Sequence, residues 1–316
     1  MTDKELLALL DRRLGRVHAR QRLGIEQEHQ AQLFGQGLKL FNLENLPLAP
    51  AVIAGSLRLC GLYGRGRRNA AAVMIKHNII AAPGLPKLFD GFTILHLSDL
   101  HIDTSDWVID KIVSLAGGCA YDACVLTGDY RGLTAGPYAA TLAGMARLRQ
   151  SLKAPVYGVL GNHDTIAMLP GLDAMGIRML MNECEIIERG PDRIHLAGID
   201  DGHYFRADNI EKAASGIPHD GFAILLSHTP EIYRRAAYAG FQIMLSGHTH
   251  GGQICLPGGI PVTLDSVLPR HMGSGPWAYR DMAGYTSSGA GCSIVPLRFN
   301  CPPEITLHQL RPSLSA

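Results

Sequence analysis

The chain has 316 residues, 47% of them hydrophobic and 18% charged, enough apolar mass for one large α/β domain or a domain with an appendage. Lys and Arg number 29 against 28 Asp and Glu, so a net charge of +1 supplies no field to recruit nucleic acid, and no stable nucleic-acid partner is expected. The 7 cysteines form an odd set with no CxxC pair, which argues against a disulfide framework or zinc ribbon and for a reducing, cytoplasmic setting.

Near the N-terminus, Leu6, Leu7, Leu10, Leu14 and Val17 recur at helical spacing and predict an amphipathic packing helix. Acids and bases run through the first stretch and no apolar segment follows Arg12-Arg13, so neither a Sec nor a twin-arginine leader is expected. Residues 43–63 carry Leu46, Leu48, Val52, Ile53, Leu57, Leu59 and Leu62 just ahead of Arg65, Arg67 and Arg68. Glu44, Pro47, Pro50 and Arg58 keep the run short of the ~20 apolar residues that a spanning helix needs. Two readings stay open: a short helix docked on the core, or a peripheral contact of residues 43–68 with the inner membrane face. Residues 1–72 are therefore set apart as an N-terminal helical extension. Residues 73–316 form the main domain, which opens with a strand at 73–80 and a turn-rich join at 82–86.

From Phe92 a pattern repeats: an apolar β-type run, a polar loop, then a helical stretch. Residues 92–97 end in Ser98-Asp99-Leu100-His101, and residues 123–127 end in Gly128-Asp129-Tyr130. Residues 156–160 lead into Gly161-Asn162-His163-Asp164, and residues 223–226 into Ser227-His228. The run 242–245 leads into Ser246-Gly247-His248-Thr249-His250-Gly251-Gly252, where two imidazoles stand among glycines that allow close approach of the backbone. In open α/β sheets sites form at the carboxyl ends of strands, so these loops are expected to converge. A pair of divalent cations needs a shared anionic bridge and several neutral ligands if a phosphate is to bind as well. Asp99 and His101 can grip one ion together, and Asp129 is the natural bridge. Asn162 offers a neutral oxygen, while His228, His248 and His250 offer nitrogens. Such an oxygen and nitrogen set without thiolate suits Mn, Fe or Zn.

Taken in order, Asp99-x-His101, Gly128-Asp129, Gly161-Asn162-His163-Asp164, His228 and Gly247-His248-Thr249-His250 resemble the calcineurin-like metallophosphoesterase superfamily. The lead-in at 85–92, His250-Gly251-Gly252-Gln253-Ile254 and the late stretch 296–304 are similar to its bacterial phosphodiesterase branch. The resemblance spans roughly residues 73–310. It implies a four-layer α-β-β-α sandwich, which the residues alone do not separate from a single doubly wound sheet. It also implies two divalent transition-metal ions, one held by Asp99, His101 and His250, the other by Asn162, His228 and His248, with Asp129 between them. A metal-bound hydroxide would then attack phosphorus in line. By the same resemblance His163 stabilises charge or protonates the leaving oxygen, and Asp164 orients its ring.

Arg131 is read as an exposed loop arginine or as a partner for a substrate phosphate. Asp103, Thr104, Asp200 and Asp201 are rim residues supporting the site, and His77, His195, His203, His219, His271 and His308 are surface or packing residues. The expected activity is hydrolysis of a small phosphodiester. A lipid-linked pyrophosphate, as taken by the UDP-2,3-diacylglucosamine pyrophosphohydrolases of the superfamily, is the alternative substrate, and a catalytically silent binding scaffold the alternative role. A protein phosphatase is disfavoured, because Asp164 leads into Thr165-Ile166 without the arginine usual there. Residues 204–221 and 256–284 are expected to form loops over the site, with Leu256, Val267, Met272, Trp277 and Tyr279 available for an apolar groove.

Overall fold

A computed structural model describes residues 2–34 and 49–313. Its helices are α1 (Asp3–Leu14), α2 (Arg16–Phe34), α3 (Ala49–Leu59), α4 (Tyr63–Ala71), α5 (Asp106–Gly118), α6 (Ala139–Ser151), α7 (Leu169–Ala174), α8 (Ile210–Ala214) and α9 (Tyr233–Tyr238). Its strands are β1 (Met74–Ala82), β2 (Thr93–Leu97), β3 (Ala123–Leu126), β4 (Val156–Gly158), β5 (Ile177–Met179), β6 (Glu183–Arg189) and β7 (Asp192–Gly198). They continue with β8 (Ala223–Leu226), β9 (Ile243–Ser246), β10 (Cys255–Leu256), β11 (Ile260–Pro261), β12 (Gly275–Tyr279), β13 (Met282–Thr286) and β14 (Glu304–Pro312).

Two six-stranded sheets result, one ordered β1-β14-β2-β3-β4-β5 and the other β12-β13-β9-β8-β7-β6. Strands β2 to β5 run parallel, as do β7, β8, β9 and β13, so each sheet sends several carboxyl ends to one edge. Ile94, Val125 and Val159 of the first sheet share a core with Leu196, Ile224, Leu226, Ile243 and Leu245 of the second. The outer face of the first sheet packs under Ile112 of α5, Met145 and Leu148 of α6, and Leu10 and Leu14 of α1. Ala213 of α8 with Tyr233 and Ala236 of α9 cover the outer face of the second. This is the four-layer α-β-β-α sandwich. The short apolar runs form central strands because both of their faces are covered, which removes the alternation seen in half-exposed strands.

Helix α1 starts at a capping box in which Thr2 accepts from Glu5 and the Glu5 carboxylate accepts from the Thr2 N–H. It stops at Gly15, whose φ of 87° ends the first apolar stripe. Val17 therefore falls on α2, where it is 79% exposed, rather than continuing the buried face of Leu10 and Leu14. The first part of the 43–68 run, with Glu44, Leu46, Pro47 and Leu48, lies outside the described residues. Its remainder forms α3 and α4, on which Val52, Arg58, Leu59, Arg65, Arg67 and Arg68 are exposed. No described helix is long and apolar enough to cross a membrane.

The expectation of a continuous loop over 256–284 is corrected. Residues 275–279 and 282–286 are β12 and β13, the outer strands of the second sheet. Trp277 lies over Gly284, donates its indole N–H to Thr286 Oγ1 at 2.8 Å, and is buried with Met272 in the core beneath α9. Neither side chain is free to line a groove, whereas Leu256 and Val267 are exposed.

Candidate metal centre

The carboxyl ends of β2, β3, β8 and β9, and the loop after β4, bring Asp99, His101, Asp129, His228, His248, Asn162 and His163 to one place between the sheets, all of them buried. Their backbones turn sharply to get there. Asp99, His101, Asp129, His248 and His250 all adopt positive φ, between 40° and 74°, a region costly for residues with a Cβ. Surrounding contacts hold those turns. The Asp164 carboxylate accepts N–H bonds from Asp129 at 2.8 Å, Tyr130 at 2.9 Å, Arg131 at 3.2 Å and Gly161 at 2.9 Å. Asp99 accepts from the His248 N–H at 3.0 Å, which ties β2 of one sheet to β9 of the other. Glycine is required at Gly247 because a Cβ there would run into Ser98 Oγ and Asp99 Oδ2.

Of the three donor clusters among the described residues, two share Asp129 and the third joins His203 and His248 to the exposed Asp265. Asp99, His101, Asp129 and His250 form one of the two that share Asp129, and Asp129, His228 and His248 the other, the offered atoms of each lying within 4.8 Å of one another. Asn162 Oδ1 joins the second, 2.8 Å from His228 Nε2 and 3.0 Å from His248 Nδ1. The nitrogens show whether a cation fits. His228 Nδ1 lies 2.7 Å from the Thr127 carbonyl and carries its proton there, which turns the Nε2 lone pair toward Asn162 Oδ1 and toward Asp129 Oδ2 at 3.4 Å. His101 Nδ1 likewise meets the Arg131 carbonyl at 2.8 Å, leaving its Nε2 to face His250 Nε2 at 3.0 Å. Acceptors crowded against acceptors in a buried site need a proton or a cation among them. The donor set fits divalent transition ions, and the backbone carbonyls that fix the imidazole tautomers are the usual outer partners of such ligands.

Electrostatics agree. Burial pushes Asp99 up to about 6, with His228 opposing and Asp129 adding to the rise. Burial would also raise Asp129, but His228, His163 and His101 hold it well below the usual carboxylate range. Burial resists a charge on His228, yet Asp129 and Asp99 lift it to about 10, the attraction for positive charge that a cation at this point would also meet. Burial and neighbouring cationic groups keep His248 and His250 neutral, with lone pairs to offer.

The remaining sequence candidates separate. His163 lies beside the first cluster, its Nε2 3.9 Å from Asp129 Oδ2 and its backbone N–H donating to Asp129 Oδ1 at 2.9 Å. Its Nδ1 lies 3.0 Å from the Gly132 carbonyl, and the Asp164 carboxylate is spent on the loop backbone, so Asp164 shapes the loop rather than orienting the imidazole ring. Arg131 is neither exposed nor open to a phosphate: it is buried, and its guanidinium donates to the carbonyls of His163, Gly136 and Thr134. Asp103 braces the neighbouring turn through Gly132 N and Thr141 Oγ1, and Thr104 donates to the His101 carbonyl. Asp201 gathers the N–H groups of His203, Tyr204 and Phe205. That turn carries His203, grouped in the sequence with surface and packing residues, to a ring distance of 4.3 Å from His248, where Glu231 Oε2 lies 2.9 Å from its Nδ1. Only the register of the 201–205 turn reveals this neighbour.

A sandwich of two sheets whose strand ends gather carboxylates, imidazoles and an amide around one buried point defines a phosphoester hydrolase with a site that could hold metal. The calcineurin-like phosphoesterase family model matches residues 92–252, and the chain belongs to that family. It is similar to the uncharacterized metallophosphoesterase YkoQ of Bacillus subtilis, 32% identical over 260 residues, or 79% of this chain and 94% of YkoQ. It is also similar to phosphodiesterase YaeI of Escherichia coli, 28% identical over 233 residues, 69% of this chain and 82% of YaeI. A transmembrane protein with metallophosphoesterase domain from Danio rerio is 29% identical over 244 residues, 70% of this chain and 54% of that protein.

Proposed function

We propose that this protein is a dinuclear metal-dependent phosphodiesterase. Asp99, His101, Asp129 and His250 would hold one divalent ion, and Asp129, Asn162, His228 and His248 the other, with Mn, Fe or Zn the fitting metals. The observation that carries the reading is the membership of Asp129 in both donor clusters, as a shared anion between ions ~3.5–4 Å apart requires. When bound, such a pair supplies Lewis acidity at a phosphoryl oxygen and activates water. The chain's own residues do the rest. His163, beside the shared carboxylate, is suited to hold charge on the phosphoryl group or to pass a proton to the leaving oxygen. Asp164 keeps the Asp129 and Asn162 loops in place through its N–H bonds. Retention of every donor speaks against a silent binding scaffold. The name of YaeI supports a diester rather than a monoester substrate. The test is hydrolysis by Mn-loaded protein of an aryl phosphodiester, the matching monoester, cyclic nucleotides and a nucleotide-linked acyl sugar. Turnover of diesters at least tenfold faster than of the monoester is expected, and no turnover of any of them overturns the reading.

One feature favours a lipid-linked pyrophosphate as the alternative substrate. No acidic residue occurs between Glu44 and Asp90 in the sequence, while Arg58, Arg65, Arg67, Arg68, Lys76 and Lys87 do, and Val52 and Leu59 stand exposed on α3. Exposed apolar side chains followed by a run of arginines suit a peripheral contact with anionic lipid, at about 1 kcal/mol per cation near the surface. Sedimentation with anionic vesicles tests it: equal partitioning of wild type and a Val52→Asp/Leu59→Asp variant would remove the membrane reading and leave the soluble diester.

A further inference from the structure

The N-terminal helix α2 reaches deep into the molecule. Arg22 is fully buried, and its guanidinium donates to Glu26 Oε1 at 2.6 Å, to the Asp164 carbonyl at 3.0 Å and to Asp200 Oδ1 at 3.3 Å. Its plane lies 3.2 Å over the ring of Phe205. Glu26 completes the arrangement by accepting from the Ile166 N–H at 2.8 Å and from Thr165 Oγ1 at 2.6 Å. Asp164, Thr165 and Ile166 follow Asn162 and His163 on the loop after β4, in the first sheet. Asp200 and Phe205 flank the turn after β7 in the second sheet, which brings His203 against His248. His18, one turn earlier on α2, meets the other oxygen of Asp200 at 2.8 Å. In sequence, Arg22 and Glu26 are an i,i+4 pair of the kind that normally decorates a solvated helix face. A buried arginine with its donors divided between two sheets is a different object: its planar fork fixes both loops at once.

We propose that Arg22 and Glu26 are positioning residues of the phosphoesterase site, clamping the Asn162-His163-Asp164 loop of the first sheet to the Asp200–Phe205 turn of the second. The inference rests on the phosphodiesterase reading above for its catalytic consequence, but its structural content stands apart from it. Neither residue touches the donor clusters; both act through the loop that carries Asn162 and His163. Because the site is assembled from the ends of two separate sheets, its geometry depends on how those ends are held together, and a misplacement of about 1 Å in a catalytic group can cost ~10²-fold in rate.

The experiment uses the full chain with Glu26→Ala and Glu26→Gln, each alone and combined with His163→Ala, and with Thr165→Val as the milder cut should Glu26→Ala not fold. Hydrogen exchange is read first. Glu26→Ala, or Thr165→Val in its place, is expected to speed amide exchange in residues 161–168 at least tenfold while leaving that of β9 unchanged, and Glu26→Gln, which keeps an acceptor for the Ile166 N–H, to restore most of the protection. On Mn-loaded protein, kcat for the aryl diester should fall at least tenfold with KM within threefold. In the His163→Ala background the same substitution should cost clearly less than in the wild-type background, since one of the two groups it positions is gone while Asn162 remains. Unchanged exchange in 161–168 overturns the clamp, as does an equal tenfold loss in the His163→Ala background, which would mark a general destabilisation. A wild-type protein that hydrolyses nothing while 161–168 responds to Glu26→Ala would overturn the phosphodiesterase reading and leave the clamp supported.

Discussion

Replacing Asp164 by Asn changes one atom in a buried side chain and separates hydrogen bonding from shape. Each carboxylate oxygen accepts two backbone N–H groups: Oδ2 those of Asp129 and Gly161, Oδ1 those of Tyr130 and Arg131. An asparagine amide offers one oxygen and one NH2, so either orientation sets a donor against two donors. Hydrogen bonds to a charged group contribute about 1.5–3 kcal/mol each, so losing two predicts a destabilisation of about 3–6 kcal/mol. At about 2 °C or more per kcal/mol for a chain of this size, thermal unfolding should begin some ~6 °C or more lower. Because the same N–H groups belong to the Asp129 turn, Mn affinity measured by calorimetry should fall as well. Scanning calorimetry of the two proteins at equal metal loading is the assay. A melting temperature within about 1 °C of wild type would refute the view that Asp164 holds the site's backbone and would return it to a role on the His163 ring.

Replacing His163 by Ala should leave Mn binding within about twofold of wild type and lower kcat by ~10²–10⁴, the usual worth of general acid–base help; rates within twofold of wild type would remove it from the chemistry. Acidification should weaken the fold through His96, which burial depresses to about 4 in the folded protein, with Glu304 opposing, against an ordinary 6.5. The unfolded chain takes up the proton first, so stability is full above pH 6.5 and is lost as pH falls toward 4, by about 2 kcal/mol at pH 5 at ~1.4 kcal/mol per unit. A His96→Gln variant should flatten that slope in melting curves, and an unchanged slope would assign it elsewhere. A Gly247→Ala variant should lose metal binding outright, since the added methyl displaces Ser98 or Asp99; full Mn loading by that variant would show that the His248 turn is not set by this contact.

The central strands of both sheets were legible because they are short apolar runs that each end in a chemically distinctive loop, and the donors Asp99, His101, Asp129 and Asn162 of the first sheet and His228, His248 and His250 of the second stand at those ends. What the sequence hides is anything that depends on which loop faces which. Arg131 reads as an exposed loop residue because nothing local tells that three carbonyls close over its guanidinium. Trp277 and Met272 sit amid Pro and Gly and read as a lid, yet the bare backbone of Gly284 gives the indole a seat in the second sheet. The break at Gly15 divides one apparent apolar stripe into two helices with different partners. Arg22, Glu26 and Asp200 carry no motif, since their roles come from contacts across more than 130 residues of chain.

The central claim is that two ions share Asp129, and anomalous diffraction from crystals of Mn-loaded protein tests it most directly. Two peaks are expected about 3.5–4 Å apart, one beside Asp99, His101 and His250, the other beside Asn162, His228 and His248, with Asp129 between them and both lost in an Asp129→Asn variant. A single peak, or two peaks that persist at full occupancy in Asp129→Asn, would contradict the claim.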